Sequence, residues 1–246
     1  MSGPVAVVTG AGSGIGAHIG RALLTAQFRV VLVGRTRSHL EETATAGGTA
    51  LVAPADVTVD AEVARMFTQV VDTWGRVDLL VNNAGTFGPP GEIDEIDPQD
   101  WRRTIEVNLT GAFLCAHHAV RIMKQQDPRG GRIINNGSVS AQVPRPASVA
   151  YTASKHAMTG LTKSIALDGR PHGIVCGQID IGNAATELTA GIAESARQAD
   201  GSLRPEPTFD PAHVAEAVVQ MARLPLGVSV PWMTIVAAGM PYGGRG

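Results

Sequence analysis

Tyr151 and Lys155 stand four residues apart in the run Tyr-Thr-Ala-Ser-Lys, and they offer the clearest chemistry in this sequence. On a helix, side chains at this spacing project from the same face. An ammonium group beside a phenol favours the ionised phenol, whose ordinary pKa is about 10, and makes it usable as a proton donor or acceptor. Ser138 precedes Tyr151 by thirteen residues and adds a hydroxyl that can hydrogen-bond a reacting oxygen. A Tyr–Lys pair also occurs on ordinary amphipathic helices, so the prediction of a proton-transfer centre depends on the motifs that precede it.

A glycine-rich turn follows the first apolar run, residues 5–9, and opens a predicted helix. Its backbone N–H groups can approach a pyrophosphate because glycine has no side chain, and the helix N-terminus adds a favourable dipole. The glycine spacing is GxxxGxG rather than GxGxxG, but the strand–turn–helix context favours dinucleotide binding. The predicted cofactor contacts in this turn are Gly10, Ser13, Gly14, Ile15 and Gly16.

The end of the second predicted strand, at Gly34 and Arg35, indicates which dinucleotide the turn accepts. NAD-binding proteins usually carry an acidic residue there, which hydrogen-bonds the ribose 2′-hydroxyl. A glycine followed by Arg35 leaves room for a 2′-phosphate and supplies a bidentate partner, and Arg37 adds a second positive charge. We therefore predict NADP(H) as the preferred cofactor, with NAD(H) as the alternative. The alternative is that Arg35 and Arg37 are solvated surface arginines that play no part in cofactor binding.

Short β-rich runs alternate with longer amphipathic segments, and this alternation predicts the scaffold that positions these residues. Strands are predicted at 5–9, 29–33, 49–53, 77–81, 131–135, 174–177 and 232–237. Helices are predicted at 14–26, 38–46, 60–74, 98–125, 150–167 and 211–223. Repeated βα units imply right-handed crossovers. We therefore predict an α/β, doubly wound (Rossmann) fold, a single domain over 1–246 with a seven-stranded parallel sheet and helices on both faces.

The composition agrees with this scaffold and excludes several classes of protein. With 44% hydrophobic but only 4% aromatic residues among 246, the core must be built mostly from Val, Ile, Leu and Ala, which suits a parallel sheet covered on both faces. A net charge of −2 with scattered arginines argues against a nucleic-acid binder. No apolar stretch approaches the roughly 20 residues that span a bilayer, and no signal peptide precedes the first strand. We therefore expect no membrane association and a cytoplasmic location.

Cysteine and histidine are placed in ways that do not favour a metal site. Cys115 and Cys176 are far apart and belong to no CxxC motif or Cys/His cluster, so we expect two buried core thiols without a disulfide. His117 and His118 point about 100° apart on a helix and lack a chelating partner one turn away. No metal is predicted for this chain.

Taken together, these motifs resemble those of the short-chain dehydrogenase/reductase family, in the same order along residues 5–187. Residues 9–16 are similar to its TGxxxGIG turn, and residues 82–85 to its NNAG turn. The resemblance implies that Asp56 and Val57 contact the adenine end of the cofactor. The remaining cofactor contacts that it implies are Asn83, Ala84, Gly85, Tyr151, Lys155, Gly182 and Thr186.

The resemblance further implies an oxidoreductase that transfers a hydride between NADP(H) and a small-molecule carbonyl/alcohol substrate. Ser138 is expected to hydrogen-bond the substrate oxygen and Tyr151 to move the proton. Lys155 is expected to lower the pKa of Tyr151 and to bind the nicotinamide ribose. Asn108 is expected to hold a water that links Lys155 to solvent.

The family also implies a homodimer or homotetramer, with contacts through the helices around 101–125 and 150–167. Two other functions stay open on the same fold. One is a non-redox, dinucleotide-sensing protein, and the other is an isomerase or dehydratase that uses its cofactor transiently. The intact set of four side chains argues against a sensor, because a sensor has no need of a phenol–ammonium pair.

The chain departs from the family pattern in two segments. Ile181 replaces an expected proline, so the loop up to Thr186 is expected to differ in geometry. The polar insert that follows, 186–209, is expected to be a lid over the substrate. The C-terminal tail, 240–246, also differs, and the sequence leaves open whether it packs at an interface or reaches a pocket. The substrate is not identified, and Arg145 is the nearest candidate for binding a carboxylate.

Overall fold

Strands and helices alternate along the part of the chain that the computed structural model describes, residues 3–241. The strands are β1 (Val5–Thr9), β2 (Arg29–Gly34), β3 (Thr49–Pro54), β4 (Leu79–Asn82), β5 (Gly131–Asn136), β6 (Ile174–Gly182), β7 (Ala196–Arg197), β8 (Leu203–Arg204) and β9 (Trp232–Val236). The α-helices are α1 (Gly14–Thr25), α2 (Arg37–Ala44), α3 (Asp60–Trp74), α4 (Pro98–Ile105), α5 (Gly111–Gln125), α6 (Val149–Gly169), α7 (Ala190–Glu194) and α8 (Ala212–Arg223).

One parallel sheet of seven strands organises the molecule, in the order β3-β2-β1-β4-β5-β6-β9. This order confirms the predicted doubly wound, Rossmann-type fold. The chain runs outward from β1 to β3 and then returns to place β4 on the other side of β1, where Val7 lies opposite Leu80. Because the connections leave β1 and β4 in opposite directions, their carboxyl ends border a crevice, the place where doubly wound proteins bind ligands.

Two hydrophobic layers, one on each face of the sheet, form the core. Alternate side chains of a strand point to opposite faces. In β1, Val5 and Val7 therefore join one layer, whereas Ala6 and Val8 join the other. The first layer lies under α3, α5 and part of α6, and the second lies under α1, α2 and α8. Covering both faces keeps every central strand away from water, as the aliphatic composition predicts.

The two cysteines lie in the first of these layers. Cys115 is 0% exposed and Cys176 is 2% exposed, and both are free thiols. The expectation of two buried core residues is confirmed. Burial raises the pKa of each thiol to about 12, so both are neutral and unreactive near pH 7.

Two predicted elements differ from the structure in extent. The helix predicted over 98–125 is interrupted by a π-helical turn, Glu106–Thr110, between α4 and α5. Strand β6 continues to Gly182 instead of ending at residue 177, because its last five residues pair with β9 from Trp232 to Val236. The polar residues Gln178 and Asp180 interrupt the apolar pattern and concealed this continuation from the sequence.

The insert 186–209 has secondary structure of its own. A 3₁₀ turn, Glu187–Thr189, leads into α7, and β7 and β8 then form a two-stranded antiparallel ribbon. Of the C-terminal tail, residues 242–246 lie outside the described residues. Within residues 3–241, none of the helices combines the length and apolar character that crossing a bilayer requires. The same residues contain no group of three or more His, Cys, Asp or Glu side chains arranged to hold a metal ion.

Leu80 in the central strand β4 tests this arrangement of the core. Because Leu80 is 0% exposed, Leu80→Ala leaves a cavity between sheet and helices and should lower the free energy of unfolding by about 3 kcal/mol. Leu188→Ala, at a side chain that is 54% exposed, is the matched control and should change it by less than about 0.5 kcal/mol. Denaturant titrations followed by circular dichroism measure both, and equal effects would contradict the burial of Leu80.

Candidate active site

The glycine-rich turn after β1 brings the predicted pyrophosphate contacts together. Gly10 and Gly14 have φ angles of 66° and 49°, in the left-handed region that favours glycine. A Cβ on Gly16 would collide with the carbonyl oxygen of Gly10, so α1 approaches the turn closely because no side chain stands there. Ser13 is the N-terminal cap residue of α1, and Ile15 packs against the second core layer. The turn is therefore a cradle of bare backbone at a helix N-terminus, which fits a dinucleotide phosphate.

Thr9 ties this turn to the one after β4. Its Oγ1 accepts hydrogen bonds from the backbone N–H groups of Asn83 at 2.9 Å and Ala84 at 3.0 Å. Asn83 Nδ2 donates in return to the Thr9 carbonyl oxygen at 3.0 Å, and Asn83 Oδ1 accepts from Asn136 Nδ2 at 2.8 Å. The predicted contacts Asn83, Ala84 and Gly85 thus lie at the carboxyl ends of β1, β4 and β5, beside the glycine-rich turn.

Arg35 and Arg37 lie exposed just beyond the end of β2. Arg37 opens α2, and its Nη1 is 3.7 Å from Glu41 Oε1 in an exposed ion pair. The carboxylate of Glu41 offsets part of the charge that Arg37 presents. Arg35 is near enough to Asp56 for its charge to act on that carboxylate. Of the two arginines predicted to meet the 2′-phosphate, Arg35 is therefore the better placed.

Asp56 and Val57 follow β3, where the adenine end of the cofactor was predicted. Asp56 Oδ1 accepts hydrogen bonds from Thr58 N at 2.9 Å and Thr58 Oγ1 at 2.7 Å. Although partial burial opposes it, these two bonds and the charge of Arg35 hold the pKa of Asp56 below its ordinary value. The Val57 side chain is 6% exposed and packs near Gly111, which leaves its main chain for a cofactor contact.

Ser138 and Tyr151 meet beyond the carboxyl end of β5. Ser138 is 4% exposed and caps a 3₁₀ turn, Val139–Ala141, with its Oγ accepting from Ser140 N at 3.1 Å. Tyr151 lies in the first turn of α6, where its ring packs edge-on against Phe87 with centroids 4.6 Å apart. The Ser138 side chain lies close enough to the Tyr151 phenol to favour its ionised form. The fold thus brings together two groups that the sequence separates.

Lys155 lies one turn further along α6 and is 5% exposed. Its Nζ donates to the Asn136 carbonyl oxygen at 2.7 Å and lies 5.6 Å from the centroid of the Tyr151 ring. Burial lowers the pKa of Lys155 to about 8. Burial also raises the pKa of Tyr151 to about 12, and the nearby Ser138 side chain offsets only part of this rise. That Lys155 lowers the pKa of Tyr151 stays a prediction.

Asn108 lies in the π-helical turn and is 1% exposed. Its Oδ1 accepts from Thr86 N at 2.8 Å, and its Nδ2 donates to Thr86 O at 2.8 Å and to Ser154 Oγ at 3.0 Å. The Asn108 side chain therefore links the segment after β4 to α6, and both its oxygen and its nitrogen are already hydrogen-bonded. A relay water at this position would have to use the main-chain carbonyl groups of the π turn, a kind of distortion that is frequent at functional sites.

The segment from Gly182 to Thr186 passes beside the glycine-rich turn. Although Ile181 replaces a proline, β6 continues through Gly182, and the chain bends at Asn183, whose φ is 61°. A Cβ on Gly14 would lie 3.6 Å from Thr186 Cβ, which places Thr186 next to the cofactor turn. Thr186 caps the following 3₁₀ turn, with its hydroxyl 3.1 Å from Thr189 Oγ1.

Arg145 has a partner that sequence reasoning missed. Its guanidinium bonds both carboxylate oxygens of Glu206, at 2.9 Å and 2.6 Å, and donates to Asn183 Oδ1 at 2.7 Å. Glu206 is 4% exposed and also accepts from Asn183 and Gln198. This buried ion pair fastens the insert 186–209 to the loop before α6. Arg145, which was only the nearest candidate for binding a substrate carboxylate, is therefore already paired with a carboxylate of the protein.

Asp180 is the second residue that sequence reasoning missed as part of the site. It is 0% exposed on β6, and its carboxylate accepts from Ser138 N at 3.0 Å. The sequence did contain a sign of this role, because Asp180 stands within the apolar run Gln178-Ile-Asp-Ile. A buried acidic side chain is almost always paired with a cation or a hydrogen-bond donor.

Comparisons with known proteins agree with the fold and with the family that the sequence motifs resemble. A sequence model of a family described as short chain dehydrogenase matches residues 4–197. A curated relative, cis-4-hydroxycyclohexanecarboxylate dehydrogenase of Sinomonas cyclohexanicum, is 36% identical over 223 residues, which cover 89% of this chain and 88% of the relative.

Solved structures with the same fold hold nicotinamide dinucleotides. A 3-ketoacyl-(acyl-carrier-protein) reductase from Brucella melitensis complexed with NADH has a TM-score of 0.84 and 26% identity, covering 99% of this chain and 98% of its own. A metagenomic short-chain oxidoreductase in complex with NADP has a TM-score of 0.80 and 30% identity, covering 96% of this chain and 98% of its own. The residues of the glycine cradle fit a cofactor of this class.

The Arg145–Glu206 pair predicts how firmly the insert 186–209 is held. Although burial opposes it, hydrogen bonds from Arg145, Asn183 and Gln198 lower the pKa of Glu206 to about 2. Since the unfolded value is about 4.3, the stabilisation is complete above that pH and is lost as the pH falls toward 2. At neutral pH, Glu206→Gln should leave Arg145 unpaired and raise the rate of tryptic cleavage after the exposed Arg197 at least about tenfold.

Glu194→Gln removes an exposed carboxylate from the same insert and serves as the control. Its cleavage rate should equal that of the parent protein. Equal rates in both variants would show that the ion pair does not fasten the insert.

Proposed function

Since the chain belongs to the short-chain dehydrogenase family and is an NAD(P)-dependent oxidoreductase, we propose that Ser138, Tyr151 and Lys155 carry its chemistry on a hydroxyl/carbonyl pair. The observation that supports this assignment is that the fold brings Ser138 beside the Tyr151 phenol and places the buried Lys155 ammonium 5.6 Å from the centroid of its ring. All three side chains lie at the carboxyl edge of the sheet, on the side of the glycine cradle.

A nicotinamide dinucleotide, when bound, supplies or accepts the hydride. Its pyrophosphate would be held by the backbone of the turn from Gly10 to Gly16, and its adenine end would lie beyond β2 and β3. Lys155 would hydrogen-bond the ribose on the nicotinamide side, and Thr186 would reach the carboxamide. The site also needs a group that stabilises the negative charge developing on the substrate oxygen.

Ser138 meets that need by donating its hydroxyl to the substrate oxygen, and Tyr151 exchanges the proton. Burial raises the pKa of Tyr151 to about 12, so the phenol is protonated at neutral pH and ready to donate. Burial lowers the pKa of Lys155 to about 8, which brings the ammonium close to the pH at which it can pass a proton onward. Asn108 contributes by fixing the position of α6 through Ser154.

We propose NADP(H) as the preferred dinucleotide, with NAD(H) as the alternative. Gly34 stands where an acid would repel a 2′-phosphate, and the exposed Arg35 follows it. Arg37 contributes less because Glu41 lies 3.7 Å from it. Similar structures contain both NADH and NADP, so the arginine is the feature that favours the phosphorylated cofactor.

We propose a neutral carbonyl or alcohol as the substrate class. A similar protein is named for a hydroxycyclohexanecarboxylate, but Arg145, whose charge acts on Tyr151, is paired with Glu206. The insert 186–209 would act as a lid whose closed form this ion pair stabilises. A panel of ketones, aldehydes, quinones and acyl-carrier thioesters, scored by NADPH absorbance, would identify the substrate.

We also propose a homodimer or homotetramer. Large apolar side chains are exposed on the helices around 101–125 and 150–167, among them Trp101 at 37%, Phe113 at 50% and Leu167 at 64%. Exposed apolar area of this kind is typical of interaction surfaces. Analytical ultracentrifugation of the full chain measures the state directly.

Tyr151→Phe tests the proposed proton donor. Removing the phenol oxygen should lower kcat for carbonyl reduction at least about a hundredfold, because proton transfer contributes that much or more. Cofactor affinity, measured by NADPH fluorescence, should change little. A substrate-dependent change in NADPH absorbance that survives this substitution unchanged would refute the assignment. No net change in the parent protein with any substrate would favour a sensor, isomerase or dehydratase instead.

Arg35→Ala tests the proposed cofactor preference. Loss of the guanidinium should weaken NADPH binding about tenfold, equivalent to about 1.4 kcal/mol, and leave NADH binding unchanged. Arg37→Ala should have a smaller effect because Glu41 already offsets its charge. Tighter binding of NADH than NADPH by the parent protein, with Arg35→Ala indifferent to the 2′-phosphate, would overturn the preference.

A further inference from the structure

Asp180 places a fully buried carboxylate behind the proposed catalytic side chains. It is 0% exposed, and three N–H donors converge on its two oxygens. Gln178 Nε2 donates at 2.7 Å, Ser138 N at 3.0 Å and Gln142 Nε2 at 3.4 Å. Among the described residues, every hydrogen bond to this group comes from an N–H donor. Burial raises the pKa of Asp180, but these donors and the charge of Lys155 oppose that rise, and the arrangement suits an ionised carboxylate, which is an acceptor only.

A chain of buried amides and hydroxyls anchors Asp180 to the sheet. The donor Gln178 is itself fixed, because its Oε1 accepts from Thr162 Oγ1 at 3.0 Å and its Nε2 also reaches Thr159 Oγ1 at 3.2 Å. The chain continues from Thr162 to Asn135 at 2.9 Å and from Asn135 to Asn82 at 2.9 Å. It therefore crosses β6, β5 and β4 below the site. A network of this extent rigidly positions the carboxylate at its end.

Gly137 shows that the local backbone is fitted to this carboxylate. A Cβ on Gly137 would collide with Asp180 Oδ1 and lie 2.7 Å from Gln178 Nε2. The residue between β5 and Ser138 therefore has no side chain in the space that the Asp180 carboxylate fills. The loop that carries Ser138 and the strand that carries Asp180 form one fitted unit.

The charges that face Tyr151 come from three separate elements. Lys155 lies on the same helix, Arg145 on the loop before that helix, and Asp180 on β6. The charge of Arg145 is largely balanced by Glu206 at 2.6 Å. Asp180 is therefore the negatively charged group that acts on both the phenol and the ammonium. Among the described residues, it forms no ion pair of its own.

We propose that Asp180 is a positioning residue of this active site, whose buried carboxylate fixes Ser138 through its backbone N–H and keeps Tyr151 and Lys155 protonated. The inference rests on the proposed catalytic roles of those three side chains. A negative charge nearby disfavours a tyrosinate and favours an ammonium, and Asp180 raises the pKa of both groups.

The consequence concerns the direction of the reaction. In carbonyl reduction the substrate carbon takes a hydride from the reduced nicotinamide, and its oxygen takes a proton from Tyr151. The products are an alcohol, an oxidised nicotinamide and a Tyr151 phenolate that must be reprotonated. A carboxylate that keeps the phenol protonated therefore favours reduction, whereas alcohol oxidation needs the phenol ionised.

The chain allows a direct test because it contains only two tyrosines, Tyr151 and Tyr242. In a Tyr242→Phe background, the ultraviolet difference absorbance of tyrosinate reports Tyr151 alone. At a fixed alkaline pH where circular dichroism shows the protein folded, Asp180→Asn should increase the ionised fraction of Tyr151 about threefold or more. A fraction equal to or below that of the parent would overturn the proposal. The measurement needs neither cofactor nor substrate.

Asp78→Asn is the matched control. The Asp78 carboxylate accepts from Val5 N at 2.8 Å and pairs with Arg76 at 2.8 Å before β4, at the opposite edge of the sheet. Its loss is expected to cost stability but to leave the tyrosinate fraction unchanged. A rise equal to that of Asp180→Asn would show a general loosening instead of a charge effect, and would also overturn the proposal.

A second variant carries the test if Asp180→Asn does not fold. Asp180→Ser removes the charge and leaves a small neutral polar side chain in the same space, and the same increase in tyrosinate is expected. In active protein, the pH below which alcohol oxidation declines should shift downward in either variant. If the parent shows no NADPH-linked activity at all, the proposed function fails, while the tyrosinate measurement still decides the role of Asp180.

Discussion

The reversal of strand order between β1 and β4 is the constraint on which the rest of this protein depends. At that point Thr9 accepts two backbone N–H groups from the turn after β4, and Asn83 returns a bond to the main chain of β1. The line of hydrogen bonds continues through Asn136, whose carbonyl oxygen holds Lys155 and which directly precedes the loop of Ser138. Cofactor turn and proton-transfer groups therefore share one rigid edge. Moving any one strand would separate the groups that bind from the groups that react.

Burial determines how the groups at this edge behave. A charged or polar side chain away from water is stable only when its donors and acceptors are paired. Lys155, Asn108 and Asp180 are each at most 5% exposed, and each has partners within 3.0 Å. The same low polarity shifts proton affinities, upward for the phenol of Tyr151 and downward for the ammonium. The hydrogen bonds of these side chains and their shifted pKa values thus both result from burial away from water.

The sequence predicted more of the fold than of the electrostatics. The order of βα units was predicted correctly, and the structure brings Ser138, Tyr151 and Lys155 together as their spacing predicted, because each motif is local and stands at a strand or helix end. The π-helical turn at Glu106–Thr110 was missed, since it leaves the amphipathic pattern of the helix almost unchanged. The hydrogen bond from Lys155 to the Asn136 carbonyl oxygen was not predicted either, because a four-residue spacing fixes the face of a helix and not the direction of an ammonium group.

By itself, the sequence determined the class of fold, the glycine cradle and the candidates for the reactive side chains, because these follow from local periodicity and local spacing. The tertiary structure alone decided which buried charges meet. Asp180 bonds the backbone of a residue 42 positions away, and Glu206 pairs with an arginine 61 positions away. Electrostatic energy depends on distance in space and on exclusion of water, and separation along the chain encodes neither. The proton state of the active site is therefore a property of the folded molecule.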